Sequence, residues 1–234
     1  IDGRLRPIPA AIVDRVSISP DADAVGFVFP VSHKSVPLML KRFVEKAAHL
    51  EDTYLFAVCT YGDTPGLALN HLNALLQARG GYLAAGFGIP MPYNYLTPSP
   101  VIRGFFKSFT LRKIPVERQR ALVADARAHV DKIAAFVSAG ESRPLKVTAD
   151  PLTRWADALH LDDLLAKPVW LKVAGVEKRT DLAFIESRQL MDAGFHADES
   201  CTSCGICARV CPAHNIRLMD GEEPQANPAT TTPT

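Results

Sequence analysis

Residues 53–60, with the sequence TYLFAVCT, form an apolar run rich in β-branched and aromatic residues. Short runs of this kind are typical of strands that are buried on both faces of a parallel sheet. Two similar runs flank it, residues 24–31 (AVGFVFPV) upstream and residues 82–89 (YLAAGFGI) downstream. The sequence therefore predicts three buried strands.

Helical patterns fill the intervals around these strands. Apolar residues recur at helical spacing over residues 36–48. Pro65 opens a second predicted helix, because its missing N–H costs nothing in the first turn, and Gly80-Gly81 ends that helix. A third helix is predicted from Pro115 to about Val137. Its inward stripe consists of Leu122, Ala126, Val130, Ile133 and Val137.

The alternation of strand and helix predicts an α/β fold with a doubly wound parallel sheet and helices on both faces. Residues 4–13, RLRPIPAAIV, are interpreted as the end of a strand or a connector. Ligands of doubly wound folds bind beyond the carboxyl ends of the strands. The loops predicted to lie there are residues 30–36, 60–66 and 88–98.

Four cysteines near the end of the sequence carry the strongest chemical signal. Cys201, Cys204, Cys207 and Cys211 precede Pro212 with the spacing C-x2-C-x2-C-x3-C-P, the bacterial [4Fe–4S] ferredoxin pattern. Gly205 lies inside the run, where a residue without Cβ lets backbone N–H groups approach the sulfurs. Zinc sites usually pair two separated C-x2-C knuckles, and disulfide frameworks belong to oxidising compartments. The run therefore predicts a [4Fe–4S] cluster with these four cysteines as ligands.

The role of Cys211 has two interpretations. In two-cluster ferredoxins the fourth cysteine of a run binds the other cluster, and this sequence contains no second run. Cys211 either completes a lone cluster or binds a second one. Asp220-Gly221 predicts a hairpin turn after the run. Cys59 lies in an apolar strand and is interpreted as a small buried apolar residue.

Composition limits the remaining classes of function. The formal net charge is +1, which creates no overall field that favours nucleic acid or a membrane. The sequence has neither a signal peptide nor an apolar run of transmembrane length, so we expect a soluble cytoplasmic protein. The predicted organisation is a sheet domain at 1–140, a helical connector at 141–195, an iron–sulfur lobe at 196–225 and a disordered tail at 226–234.

These pieces together resemble the family of flavodoxin–ferredoxin fusion proteins over nearly the whole chain. The segments that carry the resemblance are 26–31 (GFVFPV), 60–62 (TYG) with Gly66, 86–87 (GF), 91–92 (MP), 94–95 (NY) and 201–212 with Asn215-Ile216. The resemblance implies a flavodoxin-like first domain that binds FMN. It also implies a small ferredoxin-like lobe with [4Fe–4S] clusters.

The resemblance also implies positions for the flavin contacts. Residues 30–34 correspond to the loop on one face of the flavin ring, and residues 60–66 to the loop on its other face. Asn94 and Tyr95 correspond to residues near the flavin or closing its pocket. The flavin-binding residues implied in this way are Pro30, Val31, Ser32, Thr60, Tyr61, Gly62 and Asn94.

The sequence departs from the family pattern at both ends. The first strand, the phosphate-binding loop and the first helix are missing, as is the second cysteine run. We expect a sequence truncated at both ends. Because the phosphate loop supplies the N–H groups that hold FMN, we also expect this chain to retain little FMN.

The expected function is electron transfer through the cluster, coupled to FMN, with a redox partner protein and without nucleic acid or membrane. An electron carrier is favoured over an enzyme. One alternative is a flavin-dependent reductase of a small molecule that uses the cluster as an electron wire. Another is a non-redox scaffold in which the only role of the cluster is to stabilise the fold of the C-terminal lobe.

Overall fold

The structure is a computed structural model of the 234-residue chain. It describes residues 3–13, 22–48, 50–62, 64–92, 114–145, 149, 151–173, 177–178, 181–187, 197, 199–211, 216–217 and 225–226.

Among the described residues, a parallel sheet of three strands forms between residues 24 and 90. Strands β1 (Ala24–Pro30), β2 (Tyr54–Tyr61) and β3 (Leu83–Pro90) lie in the order β1-β2-β3. The three predicted strands and the mixed α/β class are therefore confirmed. The flavodoxin-like topology stays a prediction, since three sequential parallel strands are common to many α/β folds.

Helices lie before, between and after the strands. They are α1 (Ile8–Val13), α2 (Leu38–Glu45), α3 (Ala68–Gln77), α4 (Val116–Ser138), α5 (Pro151–Ala158), α6 (Lys167–Val173), α7 (Phe184–Ser187) and α8 (Ile206–Val210). A π-helix, Asp162–Ala166, lies between α5 and α6. Two short strands, β4 (Ile216–Arg217) and β5 (Gln225–Ala226), pair in antiparallel fashion. None of the helices among the described residues has the length and apolar character needed to cross a membrane.

Helix α1 corrects the interpretation of residues 4–13 as a strand end or connector. The backbone N–H of Ala11 donates to the carbonyl oxygen of Pro7 at 3.0 Å, which closes a helical turn. Pro9 falls in the first turn, where proline is tolerated, and alanine is the strongest helix former.

Helix α3 begins three residues later than predicted, because Pro65 belongs to a turn that Ala68 closes by donating its N–H to the Pro65 carbonyl. Its predicted end at two glycines is confirmed. Gly81 donates its N–H to the carbonyl oxygen of Leu76 at 3.0 Å, and Gly80 adopts φ +87°. This arrangement is a Schellman motif, which requires a left-handed residue at the position of Gly80.

Helix α4 packs on one face of the sheet, against β2 and β3. Buried residues of the two strands meet half-buried residues of the helix. The strand residues are Val58, Ala85, Phe87 and Ile89, and the helix residues are Ala126, Ile133, Phe136 and Val137. Val130, predicted to point inward, is 52% exposed. The helix is rotated so that Phe136 packs on the sheet, and this rotation turns Val130 to the rim of the contact.

Helix α3 contacts β2 and β3 from the face opposite to α4, because Leu69 of α3 lies against Gly86, whose strand neighbours Ala85 and Phe87 face α4. A Cβ added at Gly86 of β3 would come within 3.0 Å of Leu69 of α3, so glycine permits this close approach. The core of this layer is completed by buried leucine and valine residues, namely Leu40, Val44, Leu72 and Leu76. Cys59 is fully buried as well, which confirms its interpretation as a small apolar core residue.

Strand β1 is not buried on both faces, as its apolar sequence had predicted. Phe27 and Phe29 are buried, whereas Val28 on the other face is 61% exposed. The reason lies in the position of the strand. It is at the edge of the described sheet, and α4 covers β2 and β3 rather than β1.

The chain divides into two compact units. The first comprises Ile1–Gly3 and Ser17–Leu164, and the second comprises Arg4–Val16 and Leu165–Thr234. The sheet belongs to the first unit and the cysteine run to the second. The division falls inside the predicted helical connector, and the predicted domain boundaries stay predictions.

Candidate metal centre and sheet edge

The four cysteines of the run lie in a loop and the short helix that follows it. Cys201 and Cys204 are in the loop and exposed, whereas Cys207 lies within α8 and Cys211 directly follows it. All four are free thiols. Cys211 follows the last helical residue with an extended backbone, at ψ 111°.

The backbone of the loop turns through two left-handed residues. Ser203 has φ +52° and Gly205 has φ +71°. Gly205 caps the N-terminus of α8, and its carbonyl oxygen accepts the N–H of Arg209 at 3.1 Å. The tight bend around Cys204 therefore depends on a residue without Cβ at position 205, as the sequence had indicated.

The surroundings of Cys204 favour its thiolate form. The backbone N–H of Ile206 donates to the sulfur and lowers the pKa of this thiol. The Thr202 side chain and the positive charge of Arg209 lower it further. Thiolates, rather than thiols, bind metals, so this environment suits a metal ligand.

The type of ligand fits an iron–sulfur cluster. Clusters are held by cysteine thiolates, and each thiolate binds a different iron, so the four sulfurs need not converge on one point. Within the part of the chain that the structure describes, no group of three His, Cys, Asp or Glu side chains is arranged to hold a single metal ion. The assignment of all four cysteines as ligands stays a prediction.

The predicted hairpin after the run agrees with the pairing of β4 and β5. Ile216 pairs with Ala226, and Arg217 with Gln225, in antiparallel register. The turn residues Asp220-Gly221 lie outside the described residues.

The carboxyl edge of the sheet brings together the two loops that the family resemblance assigns to a flavin. Pro30 and Thr60 are register partners at the ends of β1 and β2. The N–H of Val31 donates to the carbonyl oxygen of Thr60 at 2.8 Å. Val31, Ser32, Thr60 and Tyr61 are half-buried, while Pro30 and Gly62 are exposed. Asn94 and Tyr95 lie outside the described residues.

The two loops are in direct contact farther along. The N–H of Leu67 donates to the carbonyl oxygen of Lys34 at 2.9 Å, and a Cβ added at Gly66 would lie 2.5 Å from Lys34 Cβ. A planar ring stacked between two loops needs a gap of about 7 Å, twice the carbon–carbon contact distance. The loops do not fit a flavin ring between Lys34 and Gly66.

Tyr61 packs on the sheet. Its Cε1 would lie 2.9 Å from a Cβ added at Gly88, so the glycine makes room for the ring. Burial raises the pKa of the Tyr61 hydroxyl, and the neighbouring Cys59 raises it further. The ring is therefore engaged with the sheet face in this structure.

The structure contains a polar network beside these loops that the sequence did not predict. Ser35 Oγ and His71 Nδ1 share a hydrogen bond of 2.7 Å, and His71 Nε2 lies 3.2 Å from Asp157 Oδ2. Lys34 Nζ also donates to Thr153 Oγ1 of α5 at 3.2 Å. The residues of the network come from three separate elements, and no local spacing rule relates them.

Comparison with known families supports the cysteine run. Residues 197–217 match the family described as 4Fe-4S binding domain, and this segment contains all four cysteines and the β4 strand. The match supports a ferredoxin-type iron–sulfur domain in this part of the chain. None of the curated proteins matches the chain.

Proposed function

We propose that this chain transfers single electrons through a [4Fe–4S] cluster held by Cys201, Cys204, Cys207 and Cys211. The observation that carries the proposal is the match of residues 197–217 to the 4Fe-4S binding domain, with the complete cysteine run inside it. When bound, a cluster of this type takes up and releases one electron at a time, which no amino-acid side chain does in ordinary redox chemistry.

The protein residues around the run would prepare the ligands. Ile206 donates its backbone N–H to the sulfur of Cys204, and Arg209 places a positive charge nearby. Both favour the thiolate that binds iron. Hydrogen bonds to cluster sulfurs and local charge also set reduction potentials, so these residues would tune the potential of the site.

The exposure of the site supports transfer to another protein. Cys201 and Cys204 are exposed, and so are Ile206 (52%) and Val210 (69%) of α8. Electron transfer between proteins needs close approach of the two centres. We propose that a redox partner protein approaches this face of the cysteine loop.

The finer part of the proposal concerns FMN at the carboxyl edge of the sheet, in contact with residues 30–32 and 60–62. Its support is the family resemblance and the position of these residues at the carboxyl ends of two parallel strands. Because Lys34 and Gly66 are in contact, we derive no electron-transfer step through a flavin. Titration of the purified chain with FMN, followed by flavin fluorescence, tests this part. We expect weak binding, and no detectable binding contradicts the flavin part of the proposal.

The experiment that tests the main proposal is anaerobic reconstitution of the chain with iron and sulfide. We expect a brown protein whose absorbance bleaches on reduction and whose reduced form gives the electron paramagnetic resonance signal of a one-electron-reduced cluster. Iron analysis of Cys211→Ser distinguishes the two interpretations of Cys211, since the loss of a ligand of a lone cluster should lower the content below about four irons per chain.

Two cysteine variants supply the matched comparison. Cys204→Ser removes a predicted ligand and should lower the iron content sharply, whereas Cys59→Ala changes a buried core cysteine and should leave it unchanged. A colourless protein that binds zinc instead of iron, or equal iron contents in the two variants, contradicts the proposal.

A further inference from the structure

We propose that Ser35, His71 and Asp157 form a serine nucleophile site that reacts with small activated esters. Ser35 Oγ lies 2.7 Å from His71 Nδ1, and the other ring nitrogen, Nε2, lies 3.2 Å from Asp157 Oδ2. A nucleophile, a base within hydrogen-bond reach and a third group that orients the base is the arrangement that activates a serine hydroxyl. This inference is independent of the iron–sulfur proposal.

The orientation of the imidazole is compatible with that role. In neutral histidine one ring nitrogen carries a proton and the other accepts one. With the proton on Nε2, the ring donates to the Asp157 carboxylate, and Nδ1 is left to accept the proton of Ser35. In many serine hydrolases the two nitrogens have the opposite roles, but each nitrogen can act as the base.

The turn before Ser35 fixes the nucleophile. Ser32 and Ser35 donate their N–H groups to each other's carbonyl oxygens at 3.0 Å, which closes a tight turn. His33 (φ +48°) and Lys34 (φ +61°) at its centre are left-handed although neither is glycine. Such conformations are strained, and they persist in proteins mainly where the surrounding structure enforces them, often at functional sites.

The loop after β2 is hydrogen-bonded to the same turn. Leu67 donates its N–H to the Lys34 carbonyl oxygen at 2.9 Å. The backbones of Ser35 and of the preceding Lys34 are therefore both held by hydrogen bonds, which limits the positions that the Ser35 hydroxyl can reach. Preorganisation of this kind is what catalysis requires of a nucleophile and its base.

The site is open to small molecules. Ser35 is half-buried, and the side chains of His71 and Asp157 are 32% and 46% exposed. Lys34, beside the nucleophile, is exposed and reaches Thr153 of α5. A small uncharged or anionic ester can approach Ser35 from solvent, and the lysine favours an anionic one.

The reaction that these groups can carry out is acyl transfer to water. A lone pair of Ser35 Oγ forms a bond to the ester carbonyl carbon while the hydroxyl proton moves to His71 Nδ1. The carbon–oxygen bond to the alcohol then breaks, and the departing oxygen takes that proton. Water next attacks the acyl carbon and passes a proton to His71, and the acid and the free serine are released with the proton returned to Ser35.

In these two steps Ser35 and His71 are the catalytic residues, because they exchange the proton and form the bond. Asp157 is a positioning residue that acts through the imidazole. The matched control is Ser138 at the end of α4, whose hydroxyl donates to the Ala134 carbonyl oxygen and does not contact His71.

The test uses the full chain and a fluorophosphonate, which forms a serine–phosphorus bond and releases fluoride. We expect one adduct by intact mass and its location at Ser35 by peptide mapping. Ser138→Ala should keep the adduct and Ser35→Ala should lose it. His71→Asn should slow labelling by about 100-fold, the usual contribution of a general base.

Hydrolysis of p-nitrophenyl acetate gives the second readout. For Asp157→Asn we expect a lower kcat with an unchanged KM, and partial rescue by Asp157→Glu, which a merely structural contact would not produce. Peptide mapping of the unaltered chain keeps the test decisive if Ser35→Ala fails to fold. Absence of a Ser35 adduct, or equal labelling rates in the unaltered chain and His71→Asn, overturns the proposal.

Discussion

The carbonyl oxygen of Lys34 accepts a hydrogen bond of 2.9 Å from the backbone N–H of Leu67, which joins the loop after β1 to the loop after β2. This contact depends on Gly66. Its φ is +56°, and a Cβ added there would lie 2.5 Å from Lys34 Cβ. The two loops can approach so closely only because position 66 has no side chain.

Replacing Gly66 with alanine should therefore destabilise the sheet domain in two ways. The left-handed backbone costs about 1–2 kcal/mol for a residue with Cβ. The forced contact with Lys34 adds about 1–3 kcal/mol, as overpacking usually does. The midpoint of urea denaturation measures the sum.

Gly140→Ala is the control for that substitution. Gly140 has φ +63° but open space where its Cβ would be, so alanine there should cost only the backbone term of about 1–2 kcal/mol. Equal losses of stability for the two variants would show that the contact between the loops does not matter.

Arg143 contacts β3 and thereby stabilises the segment that follows α4. Its guanidinium carbon lies 4.1 Å from the centroid of the Phe87 ring, and Nη2 donates to the Gly86 carbonyl oxygen at 2.9 Å. Arg143→Ala removes both contacts and should lower the free energy of unfolding by about 1–3 kcal/mol. Thermal denaturation checks this value. The control is Arg127→Ala, on the exposed part of α4, which should change the free energy of unfolding by less than about 0.5 kcal/mol. A similar loss of stability in both variants would contradict a stabilising role of the Arg143 contacts.

Burial of Cys59 predicts a loss of stability at alkaline pH. Burial raises the pKa of this thiol from 9.0 to about 11 in the folded protein. The folded state therefore holds the proton more tightly than the unfolded state. The resulting stabilisation is fully present below pH 9 and disappears as the pH rises to about 11.

Tyr61 also contributes to the loss of stability at alkaline pH, because burial and Cys59 raise its pKa too. The experiment therefore compares Tyr61→Phe with the double variant Tyr61→Phe/Cys59→Ala between pH 8 and pH 11. Unfolding free energies should fall less steeply with pH in the double variant. Parallel curves would exclude Cys59 as the source of the alkaline loss.

The sequence was informative where periodicity and composition act locally. The apolar runs predicted β1, β2 and β3, and Gly80 predicted the end of α3 through the conformation that it alone adopts easily. Periodicity could not show that β1 lies at the edge of the described sheet, since the burial of Val28 depends on where α4 packs. The alternation of buried and exposed residues in β1 follows from tertiary placement, not from residue type.

The two candidate sites also differ in how far they could be predicted from the sequence. The cysteine run was recognisable in the sequence because one short segment contains all of it. Ser35, His71 and Asp157 were not, because 36 and 86 residues separate the hydrogen-bonded pairs. Such a network becomes visible only when the chain has folded. The rotation of α4 that exposes Val130 depends likewise on the packing of Phe136.

Gly205 gives the last prediction, on the cysteine loop itself. It has φ +71° and caps α8 next to Cys204, whose sulfur accepts the N–H of Ile206. In Gly205→Ala the left-handed conformation costs about 1–2 kcal/mol, so the loop should relax and withdraw that N–H from the sulfur. Reconstituted Gly205→Ala should hold less iron and lose it faster to a chelator. Gly3→Ala, at a position with open space, serves as the control. Identical rates of iron loss in the two variants would show that the bend at position 205 has no role in holding the cluster.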